Sequence, residues 1–302
     1  MPTISIIICS YNRANYIGAA LDALYLQSAG LDHFEAIVVD NNSTDGTPEV
    51  FATWRANHPE GHFQYTTETN QGASFARNTG AILAKSAWLC FIDDDAIADK
   101  DFVLNIIKHI KDQPFIQGFG GRIIPRYIPT EPKWMSYYVS SMVGNFDYSP
   151  VACAFKNGKY PLESNMIVSK KIFEQIGGFN TELPGVVGTV RIGGEGKDLF
   201  YKIMDLGHTI YYDPSIIVEH VVEVKKLTAE YMYRVASGMG RGERARTKAI
   251  SNNAYLTKIV EYFFKLGAAI ILGIKYALQG TPSKTWPIIQ FRIDTLKGLL
   301  GY

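Results

Sequence analysis

The first 125 residues alternate short apolar runs with amphipathic segments, and that alternation restricts the chain to a small set of architectures. Strand-like runs occur at about 3–9, 35–40, 63–67, 87–92 and 116–124. Between them, apolar residues recur at helical spacing over about 15–28, 47–58, 73–85 and 100–112. Strands joined through helices pair in parallel, with the helices covering both faces of the sheet. The runs Thr3–Cys9 and Ala87–Ile92 are nearly continuous in apolar residues, as strands buried on both faces require. The expected class is α/β with a mostly parallel central sheet.

The run Ala87–Ile92 stops abruptly at three acids, Asp93, Asp94 and Asp95. A buried parallel strand that ends this way delivers its carboxylates to the carboxyl edge of the sheet, where ligands bind in open α/β folds. Adjacent carboxylates repel one another unless a cation lies among them, which points to Mg2+ or Mn2+. On an extended chain Asp93 and Asp95 project to one side and Asp94 to the other. An acidic turn leading into the next helix is the competing reading. The first strand runs into Ser10-Tyr-Asn-Arg-Ala-Asn-Tyr16 without a glycine triplet, so a dinucleotide cannot be cradled closely there. The later glycines of Gly238–Gly242 follow a helical pattern and read as a chance match to such a motif.

Past about residue 126 the rhythm changes. Pro125, Pro129, Pro132, Pro150 and Pro161 interrupt an aromatic-rich stretch that reads as a binding loop or insertion. Residues 185–194 are glycine-rich and read as a mobile lid or a plain surface loop, and a helix follows around Asp198–Met204. Residues 223–248 carry seven basic and three acidic side chains, a local net of +4, against +1 for the whole chain. That overall balance excludes nucleic-acid-like basicity. The segment Tyr262–Leu278 is apolar apart from Lys265 and Lys275, yet short of the ~20 clean apolar residues that a spanning helix needs. A basic helix followed by apolar helices suits a membrane-surface anchor, and a packed or dimer-forming helical hairpin is the alternative. The three cysteines lie far apart and read as reduced core residues. The chain opens almost directly on a strand, without a basic n-region or small-residue cleavage site. No signal peptide is expected, and a cytoplasmic location is, at the inner face of the membrane if the anchor operates.

Four segments in order, Ser5–Arg13 (SIIICSYNR), Ile37–Thr47 (IVVDNNSTDGT), Asn70–Gly80 (NQGASFARNTG) and Phe91–Asp95 (FIDDD), closely resemble the family 2 glycosyltransferases of GT-A, or nucleotide-diphospho-sugar transferase, fold. The resemblance covers about the first 125 residues. It continues more loosely through Gly177-Gly-Phe179, Gly194–Leu199 and His220, and fades after about residue 250. It implies a GT-A domain over 1–222, with a nucleotide-sugar half at about 1–125 and an acceptor half at about 126–222. Residues 223–302 form a C-terminal helical extension that anchors to a membrane or dimerises.

The resemblance also assigns roles. Asp95 contacts the metal, Asp94 the ribose or sugar, and Asp93 supports either. Cys9, Tyr11 and Arg13 belong to the opening nucleotide-binding motif, with Tyr11 near the base. Asp40 ends the second strand at the same sheet edge, where its carboxylate can accept from a base N–H, often of uracil; helix capping suits Ser43 to Asp45 better. Arg77 is matched to a base or diphosphate contact, the alternative being a solvated surface charge. His220 corresponds to a histidine that completes the metal shell, and neutral imidazole suits Mn2+. The acceptor hydroxyl must lose a proton, and relatives commonly carry Gly-Glu-Asp-x-Asp with the acid after Glu as base. Here the segment reads Gly194-Glu-Gly-Lys-Asp198, so Gly196 stands at that position. Glu195 becomes the leading candidate and Asp198 the reserve.

The expected function is a Mn2+- or Mg2+-dependent glycosyltransferase. It would take a nucleotide sugar, UDP-sugar favoured, and act on a polysaccharide or lipid-linked saccharide with inversion. A catalytically silent nucleotide-sugar-binding or scaffold protein is the alternative, motivated by Gly196. A nucleotidyltransferase ranks third, because no glycine-rich phosphate loop follows the first strand. A membrane surface and a second copy of the chain are the expected macromolecular partners, and nucleic acid is not.

Overall fold

The computed structural model describes residues 2–302. The chain divides into two compact units. One comprises the residues up to Ile124, Phe146–Thr181 and Gly196–Val221; the other comprises Pro125–Asn145, Glu182–Glu195 and Val222–Tyr302. The stretch expected as an acceptor half, 126–222, is therefore shared between the two.

The first unit opens with the expected alternation: β1 (Ile4–Ser10), α1 (Ala14–Tyr25), β2 (Phe34–Asp40), α2 (Thr47–Asn57), β3 (His62–Thr67), α3 (Ala73–Leu83) and β4 (Trp88–Asp93). These strands lie in the order β3-β2-β1-β4, all parallel. Side chains alternate across each strand, so the sheet feeds two separate cores. Ile4, Ile6 and Ile8 of β1 join Ile17, Leu21, Phe51 and Trp54 on one face. Ile7 joins Val39, Ala76, Leu89 and Phe91 on the other. Burial on both faces explains why β1, β2 and β4 read as nearly continuous apolar runs, whereas the edge strand β3 (HFQYTT) is only partly buried.

Beyond β4 the sheet also takes in antiparallel strands. The chain continues through β5 (Ala96–Ala98), α4 (Phe102–Asp112) and β6 (Gly118–Ile128), and then through a one-turn helix α5 (Tyr137–Ser140) that belongs to the second unit. It returns as β7 (Cys153–Ala154), β8 (Met166–Ser169) and α6 (Lys170–Gln175). β8 pairs antiparallel with both β4 and β6. The α4 crossover does carry β6 in the direction of β4, as sequence periodicity implies, but β8 inserts between them. Such an insertion depends on where a later segment docks, which local pattern does not encode.

The chain then forms β9 (Gly185–Val187), β10 (Val190–Ile192), α7 (Glu195–Asp205), β11 (Ile210–Glu223), α8 (Ala229–Ile250), α9 (Asn252–Leu278) and α10 (Thr285–Leu300). The glycine-rich stretch expected as a lid or loop is an antiparallel hairpin, β9–β10. Within the second unit it is tied to α8: Gly193 N–H donates to the Gly238 carbonyl at 3.2 Å and Arg241 Nε donates to the Arg191 carbonyl at 2.9 Å.

The core of the second unit joins segments distant in sequence. Met135, Val139, Met142 and Val143 pack with Val222, Val235, Ala236, Ala269, Ile288 and Phe291. Ser251 caps α9 by accepting the Ala254 N–H at 3.0 Å, which separates α8 from α9. The opposite side of α9 is apolar and uncovered: Leu256, Val260, Phe263, Phe264, Ile271, Ile274 and Leu278 are all exposed and recur at helical spacing. Among the described residues, no helix is long and apolar enough to cross a membrane.

Candidate active site

Strand register gathers the site. Ser10 lies opposite Asp40 across β1 and β2, and Cys9 lies opposite Asp93 across β1 and β4, so the carboxyl ends of three strands meet at one edge. After Asp93 the chain turns through Asp94 and Asp95 into β5, which pairs antiparallel with β11 in a register that sets Ala96 opposite His220. Val221 N–H donates to the Asp95 carbonyl at 2.9 Å. This pairing brings His220 Nε2 to 3.0 Å from Asp95 Oδ1 across a large sequence separation. Asp93, Asp95 and His220 each present one ligand atom, and these atoms all lie within 4.8 Å of one another.

The electrostatics of the cluster favour a cation. Asp94 and Asp95 are buried. Burial, and then the charge of Asp95, push the Asp94 carboxyl well above the usual carboxylate range, against the pull of Arg13. Arg13 Nε lies 3.2 Å from Asp94 Oδ1, and its Nη2 lies 4.0 Å from Asp95 Oδ2. Two carboxylates and one imidazole give a hard-oxygen and borderline-nitrogen donor set that fits Mn2+, and Mg2+ less well because of the nitrogen.

Arg77 is not a solvated charge. It is buried on α3, its Nη2 is 3.4 Å from Asp93 Oδ1, and its guanidinium carbon is 5.5 Å from the centre of the Phe179 ring. The next residue of the same motif fixes that ring. Asn78 Nδ2 donates to the Phe179 carbonyl and Asn78 Oδ1 accepts the Phe179 N–H, both at 2.9 Å.

The loops after β1 and β2 are laced together. Thr44 N–H donates to Asn12 Oδ1 and Asn12 N–H to Ser43 Oγ, both at 2.8 Å. Asp45 accepts the N–H groups of Ala14 at 3.1 Å and Thr47 at 3.0 Å, so it caps α1 and α2 together. Asp40 is buried and accepts the Ser43 N–H at 3.1 Å. Burial raises the pKa of the Tyr65 phenol, and the charge of Asp40 beside it raises it further. Tyr11 is exposed on the loop after β1.

The expected acids of α7 are placed differently from one another. Glu195 is the first residue of the helix and is buried. Asp198 is paired with Lys202 one turn on, at 2.9 Å. Of two residues missed by sequence reasoning, one touches the triplet and the other the start of α7. Ser164 donates its hydroxyl to Asp93, and Glu163 Oε1 accepts the Gly196 N–H at 3.3 Å. Both lie in a short 3-10 turn, Glu163–Asn165, within the proline-broken stretch, where no periodic signal marks them.

Residues 5–177 match the family described as Glycosyl transferase family 2. A relative from Haemophilus influenzae, described as an uncharacterized glycosyltransferase, is 30% identical over 185 residues, which are 60% of this chain and 57% of that one. The match thus spans little more than half the length of that relative. A glucosyl-dolichyl phosphate glucuronosyltransferase from Haloferax volcanii is 21% identical over 222 residues, 72% of this chain and 68% of its own. Among solved structures, the mannosyltransferase PcManGT from Pyrobaculum calidifontis, in complex with GDP-Man and Mn2+, matches with a TM-score of 0.68 at 22% identity, over 99% of this chain and 87% of that one. The fold is that of the GT-A glycosyltransferases.

Proposed function

The chain belongs to glycosyl transferase family 2, and from that premise we propose that it is a metal-dependent transferase moving a sugar from a nucleoside-diphosphate donor to a saccharide hydroxyl. The observation that carries this reading is the convergence of Asp93, Asp95 and His220 within 4.8 Å, at the sheet edge that also holds Asp40. Those three side chains would hold Mn2+ or Mg2+, which when bound acts as a Lewis acid on the leaving diphosphate. Arg77 orients Asp93 from behind. Arg13, whose side chain is 30% exposed beside Asp94, offers positive charge to the donor, with Asp94 accepting from a donor hydroxyl.

Asp40 accepts from the N–H of the nucleotide base. Uracil suits it, and a UDP-sugar is the first donor to test. Guanine offers N–H donors as well, and PcManGT is held with GDP-Man, so a GDP-sugar is the second. The start of α7, Glu195 with Asp198 behind it, is assigned to the acceptor's side. A single displacement by the acceptor hydroxyl inverts the anomeric carbon, as the family resemblance implies.

For the acceptor we favour a lipid-linked saccharide over a soluble polysaccharide. The support is the uncovered apolar side of α9, with Lys275 exposed on the same helix and Trp286 exposed just beyond it. An apolar stripe with basic residues and an exposed tryptophan suits the surface of an anionic membrane.

Replacing Asp95 with Ala should abolish Mn2+-dependent release of nucleoside diphosphate from the donor while leaving the circular dichroism unchanged. Undiminished turnover would overturn the metal assignment. The lack of an acid at position 196 favours a second reading, a silent nucleotide-sugar-binding protein. That reading requires donor binding without turnover by the parent chain.

A further inference from the structure

The space that a side chain at position 196 would fill is already occupied by a carboxylate from elsewhere in the chain. A Cβ built on Gly196 would lie 2.7 Å from Glu163 Oε1 and 3.0 Å from Glu163 Cδ. The Gly196 N–H donates to the same oxygen at 3.3 Å. A side chain at 196 would oblige Glu163 to shift, and with glycine there the Glu163 carboxylate rests against the start of α7.

The turn bearing Glu163 is anchored on several strands. Ser164, the next residue, donates its hydroxyl to Asp93 at the end of β4. Asn165 Nδ2 donates to the carbonyls of Arg122 in β6 at 3.0 Å and Ile216 in β11 at 2.9 Å. Ser164 and Asn165 are both buried, while Glu163 is only partly so. The turn therefore holds one residue against a carboxylate of the metal set and sets the preceding, partly buried one at the start of α7. A group that must meet an incoming hydroxyl needs that partial access.

We propose that Glu163 is the general base of the reaction, supplying from a different segment the carboxylate that position 196 lacks. The inference rests on the transferase reading. In the step it performs, the acceptor O–H proton passes to the Glu163 carboxylate as the acceptor oxygen bonds to the anomeric carbon. The bond from that carbon to the diphosphate oxygen breaks, and its electron pair leaves with the nucleoside diphosphate.

Glu163 could instead serve only as a cap for the start of α7, and the amide variant separates the two roles. Glu163→Gln keeps an oxygen that accepts the Gly196 N–H but cannot take a proton. The probe is Mn2+-dependent release of nucleoside diphosphate from UDP- and GDP-sugars with water as acceptor, alongside the melting temperature with Mn2+ and nucleotide. For Glu163→Gln the expected result is a fall in kcat of about a hundredfold or more, with an unchanged KM and an unchanged nucleotide-induced thermal shift. The double variant Glu163→Gly with Gly196→Asp returns the carboxylate to α7 and should recover part of the lost kcat.

Turnover by Glu163→Gln within threefold of the parent would overturn the assignment. So would a loss confined to Glu195→Gln, which would place the base on Glu195. A parent chain that releases no nucleoside diphosphate from any donor removes the transferase reading and this one together. That outcome is distinct from an active parent with an equally active variant.

Discussion

Replacing Gly298 with Ala should destabilise the helical unit, against the expectation from helix propensity. In α10, alanine in place of glycine would gain at most about 1 kcal/mol from the restricted unfolded chain. The packing of α8 on α10 opposes it. A Cβ on Gly298 would lie 2.0 Å from the Ser237 carbonyl oxygen and 2.8 Å from its carbon. These are backbone atoms that no rotamer change can move. A relaxed C···O contact needs about 3.3 Å, so the helices must separate by roughly 1 Å. The reciprocal approach on the same seam, where a Cβ on Gly240 would meet the Thr295 carbonyl at 2.0 Å, opens with it. Overpacking of this kind costs about 1–3 kcal/mol, leaving a net loss of up to about 2 kcal/mol once the propensity gain is taken off. Gly267 on α9 is the control, because a Cβ there meets nothing within 4 Å and only the propensity gain remains. Denaturant titrations followed by far-ultraviolet circular dichroism should show the Gly298→Ala midpoint lowered and the Gly267→Ala midpoint equal or raised. A Gly298→Ala protein as stable as the parent would refute the claim that the two backbones touch at this seam.

Acid stability should depend on Asp213 of β11. Burial works to raise its carboxyl, but hydrogen bonds from His109 and Ser215 outweigh that and take it down to about 2, with His109 Nδ1 at 2.8 Å. A folded value below the ordinary one of about 3.9 means stability present above about pH 4 and lost as pH falls toward 2. Asp213→Asn should therefore cost about 2–3 kcal/mol at pH 7, with a flatter decline between pH 4 and 2 by denaturant titration. On α9, Phe264→Glu with Ile271→Glu should weaken sedimentation with anionic liposomes at least tenfold, since burying each side chain contributes about 1.5–3 kcal/mol. The variant's nucleotide-induced thermal shift should match the parent's, and unchanged liposome binding would remove the membrane surface as the partner of this face.

Much of the fold was legible wherever local pattern and tertiary placement agree. The first four strands and their helices lie where apolar periodicity puts them, because buried parallel strands need continuous apolar runs. The insertion of β8 between β4 and β6, and the folding of 185–192 into a hairpin, depend on contacts between distant segments and leave no local period. The site follows the same division. The acids of the triplet mark themselves by interrupting an apolar run. His220 became visible only through family resemblance, because its approach to Asp95 depends on the antiparallel register of β5 and β11. Arg77 looks like a surface charge until Asp93 and Phe179 are in place beside it. Ser164 and Glu163 sit in an aperiodic, proline-flanked stretch, so nothing in their neighbourhood announces a partner.

The interleaving of the two units sets an order of events during synthesis. Met135, Val139, Met142 and Val143 find their apolar partners in Val235, Ala269, Ile288 and Phe291, which leave the ribosome about a hundred or more residues later. At the usual elongation speed of about 5–20 residues per second, these side chains wait several seconds with nothing to cover them. A chain cut before α10 would leave this cluster without Ile288 and Phe291, so truncation would report on aggregation before it reported on membrane binding. Nascent chains stalled just short of Val235 should accordingly be the species that chaperones hold longest.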